Sequence, residues 1–89
     1  MTIPLNTEAS VCSHVLDGSR PVLFVERRHS AWLLLCGPDY YIVGGLIKAV
    51  AIGHLLDRDP SLNQVIDLLD GHAAERTEIT EPWVRRQVT

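Results

Sequence analysis

The sequence predicts an α+β fold, in which a small antiparallel sheet of four to five strands carries one main helix on one face. Residues 11–16 and 22–27 are strand-like runs on either side of a turn sequence, and residues 31–36 form an unbroken apolar run. An amphipathic stretch with a helix start follows at Asp59-Pro60. With 89 residues, 46% hydrophobic and 21% charged, the chain is expected to fold as one small domain.

The first two strands are predicted to pair as a hairpin. Residues 11–16 alternate between two faces, and residues 22–27, "VLFVER", are rich in β-branched and aromatic side chains. Between them, Asp17 and Gly18 suit a tight turn, and Pro21 can open the second strand without costing a ladder hydrogen bond. The preceding residues 1–10 are predicted to be a flexible N-terminal segment.

The third strand, residues 31–36, is predicted to be central, because its apolar side chains suit burial on both faces. A polar tip at residues 28–30 joins it to the second strand, and Gly37 with Pro38 ends it. The next apolar run is ambiguous between strand and helix, since periodicity cannot decide over so few residues. We favour a fourth strand at 48–52, followed by a helical turn at 54–57.

The main helix is predicted to begin at residue 60. Asp59 can cap the first turn, Pro60 fits the first helical position, and Gly71 suits the end. The apolar residues recur at helical spacing: Leu62, Val65, Ile66 and Leu69. Asp67 and Asp70 lie off this stripe and are expected to face water.

The last elements are predicted from a weaker pattern. Residues 74–80 alternate in polarity and are interpreted as an edge strand, which Pro82 interrupts. Trp83 and Val84 are expected to fold back onto the sheet. The domain therefore spans residues 11–84, and residues 85–89 form a C-terminal tail.

The charge distribution favours a basic protein partner over nucleic acid. The net charge is -3, but residues 57–81 contain seven carboxylates and two arginines, a net charge of -5. Binding to a phosphate backbone needs a basic stripe, which this sequence lacks. An acidic surface instead accelerates association with a positively charged protein. The predicted partner-binding residues are the exposed acids and tyrosines: Asp57, Asp67, Asp70, Tyr40 and Tyr41.

A cytoplasmic protein without a membrane span is expected. Residues 1–10 lack the basic and apolar regions of a secretory signal, and the apolar stretch 42–56 is interrupted by Lys48 and His54. It also falls short of the roughly 20 residues that span a bilayer. In this compartment, Cys12 and Cys36 are expected to be free thiols.

The sequence predicts neither an enzyme nor a cofactor or metal site. The available soft ligands occur without CxxC, HxxxH or HExxH spacing: Cys12, His14, Cys36, His54 and His72. The leucines before Cys36 would raise its thiol pKa, whereas a nucleophile needs a lowered one. Two alternatives stay open. One is a small-molecule or metal-binding domain, possibly catalytic through Cys36 and His14 with Cys12 nearby, and the other is a homodimer formed through residues 44–52.

Four motifs, in order, resemble a known family: "VCSHVLDGSRPVLFVERR", "SAWLLLCG", "HLLDRDPSL" and "GHAAER". They span residues 11–77 and resemble immunity protein family thirty-three of bacterial polymorphic toxin systems, formerly a domain of unknown function. The resemblance implies a non-catalytic, cytoplasmic α+β protein that binds and blocks a cognate toxin. It implies no shared functional residues. Where the family has a more acidic loop, this chain has the apolar "GPDYYIVGGLIKAVAI".

Overall fold

A computed structural model of the protein describes residues 4, 6–37 and 47–88, and within them it has six strands and two α-helices. The strands are β1 (Glu8–Cys12), β2 (Phe24–Arg28), β3 (Ala31–Leu35), β4 (Ile47–Ala51), β5 (His72–Glu75) and β6 (Val84–Gln87). The helices are α1 (Ser13–Asp17), α2 (Ile52–Arg58) and a 3-10 helix (Pro60–Gln64). The α+β class is confirmed, whereas the prediction of four to five strands was wrong by at least one.

The sheet is mixed, with strand order β4-β1-β3-β2-β5-β6. β1 runs parallel to β3, with Val11 beside Leu34, and every other pairing is antiparallel. The predicted hairpin between the first two strands is therefore wrong. Its turn sequence follows α1 instead, and Gly18 ends that helix in the left-handed conformation at φ 80°.

The hairpin that does form joins β2 to β3 through the predicted polar tip. Its two loop residues, His29 and Ser30, both have positive φ values of 52° and 65°, as a type I′ turn requires. The Ser30 amide donates to Asp70 Oδ1 at 2.9 Å, which ties this turn to the segment before β5. The central position predicted for β3 is confirmed, since β1 and β2 flank it.

The first strand begins earlier than predicted. Residues 8–10 of the predicted flexible segment belong to β1, and residues 13–16 of the predicted strand belong to α1. The early start has a physical reason, because Glu8, Ala9 and Ser10 already pair with β4, and Ala9 and Ser10 also pair with β3. The predictions for residues 48–52 and 54–57 are confirmed by β4 and α2, apart from shifts of a residue or two at their ends.

The predicted long helix after Asp59 is a short 3-10 helix. Its start is as predicted, because Asp59 Oδ1 accepts a hydrogen bond from the Ser61 amide and Pro60 occupies the first turn. The helix ends at Gln64, however, and turns continue the chain to Gly71, which has φ 82° and donates its amide to Arg27 O at 2.7 Å.

This early ending changes which leucine enters the core. Leu62 and Val65 are buried as predicted, and Leu68 is the next residue inside, at 2% exposure. Leu69, predicted to face the core, is 64% exposed. Buried residues thus recur every third position, which fits a 3-10 turn better than an α-helix.

The C-terminal elements also differ from the prediction. β5 ends at Glu75 and lies between β2 and β6, so it is an interior strand. The predicted tail supplies most of β6, which forms one edge of the sheet, while β4 forms the other.

The core lies between one sheet face and the helical segments. Strand register places six buried residues on that face: Ala9, Val11, Val25, Trp32, Leu34 and Ala74. Arg27 shares the face and donates from Nη1 to Leu68 O at 2.9 Å, so the segment containing Leu68 crosses over it. Ile52, Leu55 and Leu56 of α2 belong to the same core cluster, as do Leu62, Val65 and Leu68 from the segment after Asp59.

Arg76, predicted to lie in an edge strand over residues 74–80, directly follows β5 and is buried. Its Nη2 lies 2.8 Å from Asp59 Oδ2, and its Nη1 donates to Ser61 Oγ at 2.8 Å. Nε and Nη2 both donate to Val22 O. The guanidinium also lies 4.1 Å from the ring centre of Trp83. This one side chain therefore connects β5 to the helical layer and to the segment before β6.

Candidate functional site

Two thiols and one imidazole converge at one end of the sheet. Because β1 and β3 are parallel, their C-terminal ends lie at the same edge, and this brings Cys12 close to Cys36. His14 follows in α1, and its Nδ1 lies 3.8 Å from Cys36 Sγ. One potential ligand atom from each of the three residues lies within 4.8 Å of the other two. We refer to these residues as the Cys-His-Cys cluster.

The cluster is shielded from water. Cys12 is buried, whereas His14 and Cys36 are partly buried, and both cysteines are free. Burial raises the pKa of the Cys36 thiol, and the adjacent Cys12 thiol raises it further, although a hydrogen bond to Arg20 opposes the shift. A cysteine nucleophile needs the opposite shift, so the raised pKa makes Cys36 poorly suited to nucleophilic attack.

Sequence reasoning named these residues for a mistaken reason. It placed Cys12 and His14 on one face of a strand, but His14 lies in α1. It placed Cys36 at the end of the third strand but did not predict which strand lies beside it. The missing information was the parallel β1–β3 pairing, which no local motif encodes.

The predicted acidic residues do not form one helix face. Asp57 lies in α2 beside β4, whereas Asp67 follows the 3-10 helix and bonds to Arg85 of β6, at the opposite edge of the sheet. Asp70 precedes β5 and accepts the Ser30 amide. All three are exposed, as predicted. Tyr40 and Tyr41 lie outside the described residues.

Arginines of this chain neutralise part of the acidic segment. Asp67 pairs with Arg85 at 2.6 Å, and Glu75 pairs with Arg86. The buried Asp59–Arg76 pair removes a third carboxylate. Among residues 57–81, all of them described, the acidic surface offered to a partner is therefore smaller than the sequence predicts.

The ion pair at Asp67 gives a pH-dependent prediction. The hydrogen bond and charge of Arg85 hold the Asp67 pKa below its usual 3.8, so this contribution to stability is present above that value and is lost as pH falls through the folded-state pKa. Arg85→Gln is expected to return the Asp67 pKa toward 3.8 in a carboxyl NMR titration. Asp17, whose pKa is lowered mainly by Ser19, serves as the internal reference and should not move.

Asp57 stands between two shallow depressions. One is about 430 Å³ and the other about 300 Å³, and both are bordered by His54 and Asp57. The remaining lining of the first is Leu16, Val50, Leu55 and Arg58, and that of the second is Asn6, Ala51 and Gly53. We call these lining residues, with His54 and Asp57, the Asp57 surface. It combines an exposed carboxylate and imidazole with an apolar floor.

No protein-family model, no curated protein and no solved structure matches this chain. The resemblance to the immunity family therefore stays a prediction. Among the helices of the described residues, none has the length and apolar character needed to cross a bilayer.

Proposed function

We propose that this protein is a non-catalytic immunity protein that acts in the cytoplasm and neutralises a cognate toxin by direct contact. The observation that carries the proposal is the Asp57 surface, where a negative group stands between two depressions with apolar floors. Protein interfaces combine an apolar, well-packed centre with a polar rim, and this surface offers both. The ordered motifs of residues 11–77 support the same class of protein.

The geometry around α2 supports a preformed surface. Arg58 donates from Nη2 to Val15 O at 2.8 Å and from Nη1 to Leu16 O at 3.3 Å, which holds α1 against α2. Leu16, 39% exposed, is thereby fixed at the rim of the larger depression. A preformed site loses less conformational entropy on binding than a mobile one. The unpaired negative charge of the wider 57–81 segment would speed the approach of a basic toxin.

The test uses the product of the neighbouring gene as the candidate toxin. The full chain is expected to co-purify with it and to restore growth when both are expressed. Asp57→Arg should weaken binding, measured by calorimetry, by about 10- to 100-fold, because it places a like charge against the basic partner. Glu78→Arg makes the same charge change at an exposed position that lines neither depression, and it should leave the affinity nearly unchanged.

Absence of a complex together with absence of growth rescue would overturn the proposal. Equal losses for Asp57→Arg and Glu78→Arg would instead show that overall charge causes the effect, and would remove the Asp57 surface as the contact site.

A homodimer through β4 is the second candidate, because β4 is an edge strand and its main chain can accept another strand. Lys48, however, is exposed in this strand, and an edge lysine disfavours strand addition. We therefore rank it below toxin binding. Light scattering at high concentration decides it, since a strictly monomeric result removes the dimer.

A further inference from the structure

We propose that Cys12, His14 and Cys36 bind one soft d10 metal ion, and that the site favours Cu⁺ over Zn²⁺. The proposal rests on three donors of matching chemistry, contributed by the ends of two parallel strands and by the helix between them in sequence. Thiolate and imidazole are the ligands that Cu⁺ and Zn²⁺ prefer in proteins. This site is separate from the Asp57 surface and does not depend on the immunity proposal.

The donor distances fit one ion. A metal about 2.0 Å from nitrogen and about 2.3 Å from each sulfur needs its ligand atoms about 3.5 to 4 Å apart. The distance of 3.8 Å between Cys36 Sγ and His14 Nδ1 already meets this requirement. The three ligand atoms all lie within 4.8 Å of one another, so small side-chain rotations are enough to bring them to the distances that one ion requires. Cys12 is fully buried, which fixes one ligand, while the partly buried pair leaves a route for the ion to enter.

The number of ligands and their charge distinguish the two ions. Within the described part of the chain, the cluster contains three residues with metal-binding side chains, and structural Zn²⁺ sites almost always have four. Three-coordinate geometry is common for Cu⁺. Two thiolates with Cu⁺ carry a net charge of -1, which the Arg20 guanidinium beside Cys36 balances. With Zn²⁺ the cluster would be neutral, so the exposed Arg20 guanidinium would add no net attraction for the bound ion.

The experiment titrates the purified full chain without oxygen, using Cu⁺ held by a chromophoric chelator and, in a parallel arm, Zn²⁺ held by another. We expect one Cu⁺ per chain, with ultraviolet absorption from thiolate-to-copper charge transfer, and weaker Zn²⁺ binding. Cys36→Ser should lower the Cu⁺ affinity at least 100-fold, and His14→Asn at least 10-fold. His29→Asn alters an exposed histidine in the β2–β3 turn, outside the cluster and outside the Asp57 surface, and should bind as the wild type does.

Cys12→Ser places a hydroxyl in the core and can unfold the chain. The test therefore uses the variants at Cys36 and His14, which are partly buried. Circular dichroism checks that each of these variants is folded. Unchanged Cu⁺ affinity in folded Cys36→Ser overturns the site. Failure of the wild type to bind either ion stoichiometrically does the same. Tighter binding of Zn²⁺ through these three residues supports the site and overturns the choice of Cu⁺.

Discussion

Arg76→Ala is expected to lower the free energy of unfolding by about 3–5 kcal/mol, the usual cost of removing one partner from a buried ion pair. The substitution leaves the Asp59 carboxylate without its cation and removes two donors from Val22 O. It also removes the guanidinium stacked on Trp83, whose indole Nε1 donates to Ser61 O. Urea denaturation followed by tryptophan fluorescence measures the change.

Two variants distinguish the hydrogen bonds of the buried Arg76 guanidinium from the effect of its positive charge. Arg76→Lys keeps the positive charge but cannot donate to Asp59, Ser61 and Val22 in one plane, so an intermediate loss is expected. Arg85→Ala breaks an exposed ion pair and should cost far less. Similar losses for Arg76→Ala and Arg85→Ala would contradict a buried, multiply bonded Arg76.

Leu68→Ala is expected to cost about 2–5 kcal/mol, because it leaves a cavity in the core, whereas Leu69→Ala should change stability by less than about 0.5 kcal/mol. The two leucines are neighbours in sequence and identical in chemistry, so only their burial, 2% against 64%, distinguishes them. Thermal or urea unfolding of the two variants makes the comparison.

A larger loss of stability for Leu69→Ala than for Leu68→Ala would indicate a different conformation after residue 60. A continuous α-helix from residue 60 to residue 70 would place Leu69 on the apolar stripe with Leu62, Val65 and Ile66. A larger loss for Leu69→Ala would therefore favour that helix over the 3-10 helix and turns.

Elements defined by local signals were predictable from the sequence. The turn at residues 28–30, the apolar run of β3, and the strand and helix of β4 and α2 were all located correctly to within a few residues. The Asp59-Pro60 helix start was also correct, because an Asp cap and a proline act within one turn.

Features that depend on distant partners were not predictable. Residues 11–16 alternate as a strand does, but β1 extends only as far as β3 and β4 pair with it. The helix after Pro60 is cut short where Val65 and Leu68 turn into the core, a tertiary preference that overrides helical periodicity. The burial of Arg76 was not predicted, because it depends on Asp59, 17 residues earlier in the chain.

In the candidate sites, too, the features set by local sequence were predictable and those set by distant partners were not. The exposure of Asp57, Asp67 and Asp70 follows from their polarity, and it was predicted correctly. The pairing of Asp67 with Arg85 was missed, since residues 85–89 were predicted to be an unpaired tail rather than part of β6. The Cys-His-Cys cluster has no sequence spacing that identifies it, because its geometry comes from a parallel strand pair.

The position of β1 between β3 and β4 has a consequence for the order of events during synthesis. Of the six described strands, β1 leaves the ribosome first, and its two partners, Ala31–Leu35 and Ile47–Ala51, emerge later. The β2–β3 hairpin can close on its own as soon as it is made, because its loop has only two residues. The earliest strand to be translated therefore waits unpaired while its neighbours are made, and it is inserted into the sheet afterwards.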